Sequence, residues 1–428
     1  MASISIEPAS ALIDVPRTIR LHGFAGGERV TVVSTVLHED GTSWRGETIF
    51  TANEQGEVDA ATDAPVGGGY AGVSPMGVVW SMQQVAAPPV ARPTVQPLTV
   101  HLEASAGSGS ARASFEQHFL APGVERREIR EHGLVGTLFV PPGPGPHPAV
   151  IMLAGSGGGL METRAALFAA HGYAAFALGY FGAPGLPTHI SRTPLEYFET
   201  GLDWAHRTLG PAHGMVAVCG VSRGGELALL LGATFPTLVT AVIAYVPSPF
   251  THGVLNAGRP GEDRHAPTWT HGGKPLPVLS RPNAQAEWSL FDQAPPPKRQ
   301  SPAFLSALRD AQAVERAFIP LERINGPVLL VSGDDDALWP STTFSELAVE
   351  RLQKARHRYP VRHLAYPDAG HSIQVPYVPT TVLARPHPVS GIPLANGGTA
   401  AGNARACEES WRGVLEFLAV ARDARRAA

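Results

Sequence analysis

The pattern of the chain changes near residue 126, and that change limits its architecture more than any other feature. Upstream, short β-prone runs (SISIEP, RTIRLHGF, RVTVVSTVLHEDGTSW, GETIFTANEQGEV, LTVHLEA) are separated by turn signals such as Asp40-Gly41 and Gly26-Gly27. Short strands at this spacing predict an all-β, immunoglobulin-like sandwich over residues 1–125, with no useful helical period before residue 115. Downstream, strands alternate with helices. HPAVIMLA (147–154) is an apolar run ending in a Gly-rich turn, and METRAALFAAHG follows at helical spacing. YAAFALGYF, MVAVCG, VTAVIAYVP, PVLLVSG and VRHLAYP read as strands, with LEYFETGLDWAHRTL and RGGELALLLGATF as helices between them. Apolar strands alternating with helices predict a parallel sheet covered on both faces, over residues 126–428. A Pro-, Gly- and His-rich stretch at 250–320 breaks the rhythm and is expected to be a functional loop, a lid or pocket insertion.

Bulk properties exclude several function classes. The 428 residues carry 33 Lys and Arg against 37 Asp and Glu, a formal net charge of −4. There is no basic stripe for nucleic acid and no polybasic tract for anionic lipid. No stretch reaches the ~18 consecutive apolar residues of a membrane span. The opening MASISIEPASALIDVP lacks a charged segment leading into an apolar one, so no secretory signal is expected. The two cysteines, Cys219 and Cys407, are too few for a disulfide framework, and a reducing, cytoplasmic setting is expected. The abundance of Ala, Gly, Pro and Arg suggests a bacterial source with a GC-rich genome.

The chemistry centres on G-V-S-R-G at 220–224, between the strand MVAVCG and the helix that follows. Chance readily supplies a five-residue pattern, but this is its one instance here, and it lies in the strand–turn–helix setting of a nucleophile elbow. The turn demands small residues two before and two after the Ser, which Gly220 and Gly224 provide. Ser222 then sits at a helix N-terminus, where peptide dipoles favour developing negative charge. The alternative is a plain Ser N-cap. A Ser nucleophile needs a base and a group that orients it, and in the α/β-hydrolase fold these follow in the order Ser, acid, His. The acidic turn SGDDDALWP offers Asp334, Asp335 and Asp336. The spacing from Gly333 to Pro340 favours Asp336, with Asp335 as runner-up and Asp334 as a turn cap. His371, after Ala-Gly beyond the last strand, is the expected base. The oxyanion hole is expected to use the backbone N–H of Arg223 and one from the loop AGSGGG (154–159), either Ser156 or Gly157. That loop matches neither phosphate-binding glycine pattern, and no metal-ligand spacing occurs. Cys219 is expected to be buried and inert.

Several phrases resemble one family much more specifically. GSGGGLMETRA, GVSRGGELALLL, SGDDDALWPS, YPDAGHSIQVPY and, in the first domain, YAGVSPMGVVWSM are similar to the acyl-CoA thioesterases related to bile acid-CoA:amino acid N-acyltransferase. The resemblance runs over nearly the whole length and implies a β-sandwich followed by an α/β-hydrolase domain. It places the family's Ser, Asp and His on Ser222, Asp336 and His371. The transferring branch uses Cys where the hydrolytic branch uses Ser, so Ser222 implies hydrolysis. The implied partner is a small-molecule acyl thioester, of CoA or of an acyl-carrier protein, with no further cofactor. Segment 250–320 shows no matching phrase. The competing readings are a carboxylic-ester or lactone hydrolase, an acyltransferase to an amine or alcohol, and a catalytically dead binding module.

Overall fold

In the computed structural model, which describes residues 1–86 and 94–427, the chain forms two compact units. The first comprises Met1–Ala121 together with Gln374–Leu383 and Thr399–Glu409. The second comprises Pro122–Ile373, Ala384–Gly398 and the stretch from Ser410 onward.

Two sheets build the first unit. One takes the strands Ser3–Glu7, Thr18–His22 and Val58–Asp59. The other centres on Arg29–Leu37, which pairs antiparallel with Ser43–Thr51 on one side and Leu98–Ala106 on the other. Along Arg29–Leu37 every second residue is buried, the period-two signature of a sheet with one face in a core. The helix Gly77–Trp80 is only four residues long, so the expectation of an essentially helix-free region holds. The later segment is tied to it by backbone carbonyls. Thr380 N–H donates to the Trp80 carbonyl (3.0 Å) and Thr381 Oγ1 to that of Met82 (2.6 Å). The phrase around Trp80 therefore meets Thr380 and Thr381 despite some 300 residues of separation.

The second unit carries an eight-stranded sheet: β1 (Glu125–Ile129), β2 (Val135–Val140), β3 (Ala149–Leu153), β4 (Ala174–Gly179), β5 (Val216–Val221), β6 (Ala241–Tyr245), β7 (Val328–Gly333) and β8 (Val361–Tyr366). Their spatial order is β1-β2-β4-β3-β5-β6-β7-β8. β2 runs antiparallel to β1 and β4, and the remaining pairings are parallel. The order doubles back at β3, so β5 leaves the sheet beside the end of β3. Loops at the carboxyl ends of neighbouring strands there converge, which is where open α/β sheets bind ligands. β3, β4, β6 and β7 are buried at every residue, as a doubly covered sheet requires. β8 differs. It is an edge strand with Tyr366 as its one buried residue, since among the described residues no strand pairs with its outer side.

Helices fall where the apolar period places them: Glu162–Ala170, Leu195–Trp204 and Arg223–Thr234. Segment 250–320 is more ordered than a loop. It holds the helices Ser289–Asp292, Ser301–Ala307 and Ala311–Ala317 and has an apolar cluster of its own. Phe250, Trp288, Phe291 and Phe304 pack there with Trp339 and Phe344. Its short helices and proline breaks give no continuous period, which hides them from pattern reading. Among the described residues, no helix is long and apolar enough to cross a membrane.

Phe304 is 1% exposed, and its ring meets those of His252, Trp288, Trp339 and Phe344. Truncation to Ala should cost about 3–5 kcal/mol of unfolding free energy in urea denaturation. A cost below 1 kcal/mol would show that the segment is not packed as described.

Candidate active site

The site begins with steric crowding at the end of β5. A Cβ on Gly220 would collide with the carbonyl of Gly224, and one on Gly224 would lie 2.6 Å from the carbonyl of Leu153. With both positions bare, the chain turns from strand to helix within one residue, and Ser222 takes φ 58°, ψ −117°. A non-glycine residue in that region is strained, and here the surroundings hold it from several sides. Ser222 N–H donates to the Tyr245 carbonyl (2.8 Å), and the Ser222 carbonyl accepts from Gly225 (2.8 Å) and Glu226 (3.0 Å). The side chain stands at the head of the helix Arg223–Thr234.

Arg223 is buried and anchors the helix start. Its Nη1 pairs with Glu226 Oε2 (2.6 Å) and its Nη2 donates to the Gly253 carbonyl (2.9 Å). Glu226 Oε1 accepts from Trp269 Nε1 (2.7 Å) and from His252 N–H (3.2 Å). Burial pushes the Glu226 carboxyl above its usual range, and Arg223 with these N–H donors opposes the shift. As the first helical residue, Arg223 has no intrahelical acceptor for its own N–H. Cys219, one residue before Gly220, is fully buried with its thiol pushed up to about 12 by burial, which makes it inert.

Across from the elbow lies the loop after β3. A Cβ on Gly155 would sit 3.1 Å from the Val221 carbonyl and 3.4 Å from the Cβ of Ser222, so the loop backbone packs closely on the elbow. The loop is held by Tyr180 Oη donating to the Ala154 carbonyl (2.7 Å), Gly158 N–H to the Gly155 carbonyl (3.1 Å) and Gly159 N–H to the Phe181 carbonyl (2.9 Å). These bonds use the loop's other groups. Among the described residues, the N–H groups of Ser156 and Gly157 have no acceptor.

The three aspartates separate by environment. Asp336 is 4% exposed. Its Oδ2 accepts from His371 Nδ1 at 2.7 Å, and its Oδ1 accepts from the N–H groups of Leu338 (3.0 Å) and Trp339 (3.2 Å). Asp335 is half-exposed and binds Arg299 Nη2 (2.6 Å) and Gly398 N–H (2.9 Å). Asp334 accepts from Thr342 Oγ1 (2.9 Å). The acid turn and the His371 turn are joined directly, Asp335 N–H donating to the Ala369 carbonyl (3.0 Å), and also through Asn396. Its carbonyl accepts from Ala337 N–H (3.2 Å) and His371 N–H (2.8 Å).

Ser222, His371, Arg223 and Ser156 line a single cleft with Leu255, Asn256, Gln300, Leu338, Trp339, His387 and Leu394. Ser222 Oγ and His371 share this cleft without a hydrogen bond between them among the described residues. Such bonds are commonly open before substrate binds.

The N-terminal part of the chain, residues 14–131, matches the model of the acyl-CoA thioester hydrolase/BAAT N-terminal region, and residues 193–422 match that of the BAAT/acyl-CoA thioester hydrolase C terminus. The acyl-coenzyme A thioesterase 6 of Mus musculus is 33% identical, covering 97% of this chain and 96% of its own length.

The chain belongs to the acyl-CoA thioester hydrolase/BAAT family.

Human acyl-coenzyme A thioesterase 1 is 31% identical over 97% of the chain and 96% of its own length. Acyl-coenzyme A amino acid N-acyltransferase 2 of Mus musculus is 32% identical over 98% and 97%. The family phrases fall on the elbow, the acid turn and the His371 turn, so those parts of the cleft are readable in the sequence. Asn396, Gln300 and His387 are not. Gln300 and His387 reach the cleft, and Asn396 the turns behind it, from loops with no periodic signal, and His387 is 231 residues from the Ser156 it touches.

Two buried histidines set a pH dependence. His387 is lowered to about 4 by burial, reinforced by Arg385 and Arg223, and His252 is lowered by burial and then Arg223. The unfolded chain therefore binds protons below about pH 6.5 that the folded chain refuses, and stability falls as pH drops from 6.5 toward 4. Each such histidine contributes up to about 1.4 kcal/mol per pH unit in that window. Urea unfolding at pH 7 and pH 5 should show this loss, with a shallower slope in His387→Phe. An unchanged slope would contradict a neutral, buried His387.

Proposed function

We propose that this chain hydrolyses acyl-CoA thioesters through a Ser222–His371–Asp336 triad. One observation carries the reading. The buried Asp336–His371 hydrogen bond opens onto the same cleft as a serine held in a strained, dipole-facing turn. Asp336 accepts from Nδ1, which leaves Nε2 of neutral His371 as the lone pair available to a serine hydroxyl. In the proposed reaction Ser222 Oγ attacks the thioester carbonyl as His371 takes its proton, and Asp336 stabilises the imidazolium. The N–H groups of Arg223 and of Ser156 or Gly157 receive the developing oxyanion, each such donor being worth roughly 3 kcal/mol. The C–S bond then breaks, CoA leaves as the thiol after protonation from His371, and water activated by the same imidazole releases the acid.

Segment 250–320 is proposed to shape the acyl side of the cleft, since Leu255, Asn256 and Gln300 line it. CoA rather than a carrier protein is the proposed thiol, because the relatives matched over full length are named for coenzyme A. The proposed setting is cytoplasmic, in keeping with the two reduced, buried cysteines. Transfer to an amine is the second reading, favoured by the equally full-length likeness to an N-acyltransferase. The serine at position 222 supports water as the acceptor. Added glycine or taurine should therefore leave free acid as the main product.

Asp336→Asn should lower kcat on acyl-CoA by about 10⁴-fold by disturbing the tautomer of His371. Asp335→Asn, which loses only a half-exposed pair, should stay within about tenfold of the parent. The reverse ranking would transfer the acid role to Asp335. In parallel, kcat/KM for acyl-CoA should exceed that for p-nitrophenyl esters of the same acyl group, and a large ester preference would overturn the thioesterase reading.

A further inference from the structure

His387 is a second histidine in the catalytic cleft, and the triad does not use it. Its hydrogen bonds fix its protonation state without reference to any titration. Nδ1 accepts from the backbone N–H groups of Val389 (3.2 Å) and Ser390 (3.4 Å). Two donors aimed at Nδ1 leave no room for a proton there, so the ring is neutral and carries its hydrogen on Nε2. That Nε2 lies 3.0 Å from Ser156 Oγ. The direction of this bond is thereby decided: His387 donates and Ser156 accepts. The low proton affinity of His387 agrees with this state.

The consequence falls on the Ser156 hydroxyl. An oxygen that accepts from His387 still carries its own hydrogen, and among the described residues Ser156 Oγ has no other partner. Ser156 lines the cleft beside Ser222, in the loop whose neighbouring Gly155 lies against the Ser222 side chain. The ring is 7% exposed and held at both nitrogens, so it is a rigid prop rather than a mobile base.

We propose that the Ser156 hydroxyl is a further hydrogen-bond donor to the reacting carbonyl oxygen, aimed by neutral His387. In this arrangement Ser156 offers both its backbone N–H and its side chain, and the side chain is catalytic in the sense of touching the reacting atoms. His387 is a positioning residue that acts only through Ser156. Its role differs from that of His371, which exchanges a proton with substrate. His387 keeps its proton throughout the reaction.

The proposal rests on Ser222 being the nucleophile, so its test uses two readouts on the full chain. The first is steady-state hydrolysis of an acyl-CoA, and the second is the rate at which a fluorophosphonate labels Ser222. The phosphonate forms a tetrahedral adduct with an oxygen in the same hole and does not depend on the thioester reading. Ser156→Ala should lower kcat about 10- to 100-fold with KM within about threefold, and should slow labelling similarly. His387→Phe should give a smaller loss of the same kind, and His387→Gln, which keeps an N–H near the position of Nε2, should recover part of it. Because His387 acts through Ser156, the double variant Ser156→Ala/His387→Phe should be no slower than Ser156→Ala alone. Multiplying effects in the double variant, or parental kcat and labelling in Ser156→Ala, would overturn the proposal. A parent that labels at Ser222 yet hydrolyses no acyl-CoA would overturn the thioesterase reading and leave the labelling comparison to decide this one. Circular dichroism and thermal midpoints of each variant separate misfolding from a local effect.

Discussion

Backbone crowding around residue 222 is the constraint on which the rest of the site depends. Gly220 and Gly224 lie where a methyl group would collide with neighbouring backbone, and Gly155 lies where one would be tight against the Val221 carbonyl. The three bare positions let a strand end, a helix start and a second loop share a space too small for side chains. Strain at Ser222 is tolerated because Tyr245, Gly225 and Glu226 hold its backbone, and the Arg223–Glu226 pair secures the turn from below. A buried ion pair is poor evidence for stability in general. Here its geometry matters more, since it fixes the side chain of the first residue of the helix that Ser222 heads.

The sheet order explains why distant residues converge. β3 and β5 are neighbours, and the loops that leave their carboxyl ends carry Ser156 and Ser222. β7 and β8 are also neighbours, and the turns after them carry Asp336 and His371. The parallel arrangement puts all four at one end of the sheet. Asn396, some 60 residues beyond Asp336, serves both turns with a single carbonyl, alongside the direct bond from Asp335 N–H to the Ala369 carbonyl.

Legibility in the sequence follows the range of the interactions. The elbow is legible because its steric rule is local and leaves a five-residue trace. The alternation of strands and helices is legible because burial on two faces demands uninterrupted apolar runs. Spacing alone separates Asp334, Asp335 and Asp336 in the residue pattern, whereas in the fold they differ by their partners Thr342, Arg299 and His371, all distant in sequence. Segment 250–320 reads as a loop because its helices are short and interrupted, although its aromatic residues pack into a cluster. β8 reads like the inner strands, but its edge position leaves it largely uncovered. His387 has no sequence signal at all, since its place in the cleft depends on a contact with a residue 231 positions away.

The central claim is that acyl groups pass through Ser222. Mixing the enzyme with a slowly turned-over acyl-CoA, quenching in acid within milliseconds to seconds, and mapping peptides by mass spectrometry tests it directly. The account predicts an acyl adduct on the peptide containing Ser222, formed together with about one equivalent of free CoA thiol. Thiol release that leaves Ser222 unmodified, or that continues at the parental rate in Ser222→Ala, would contradict it.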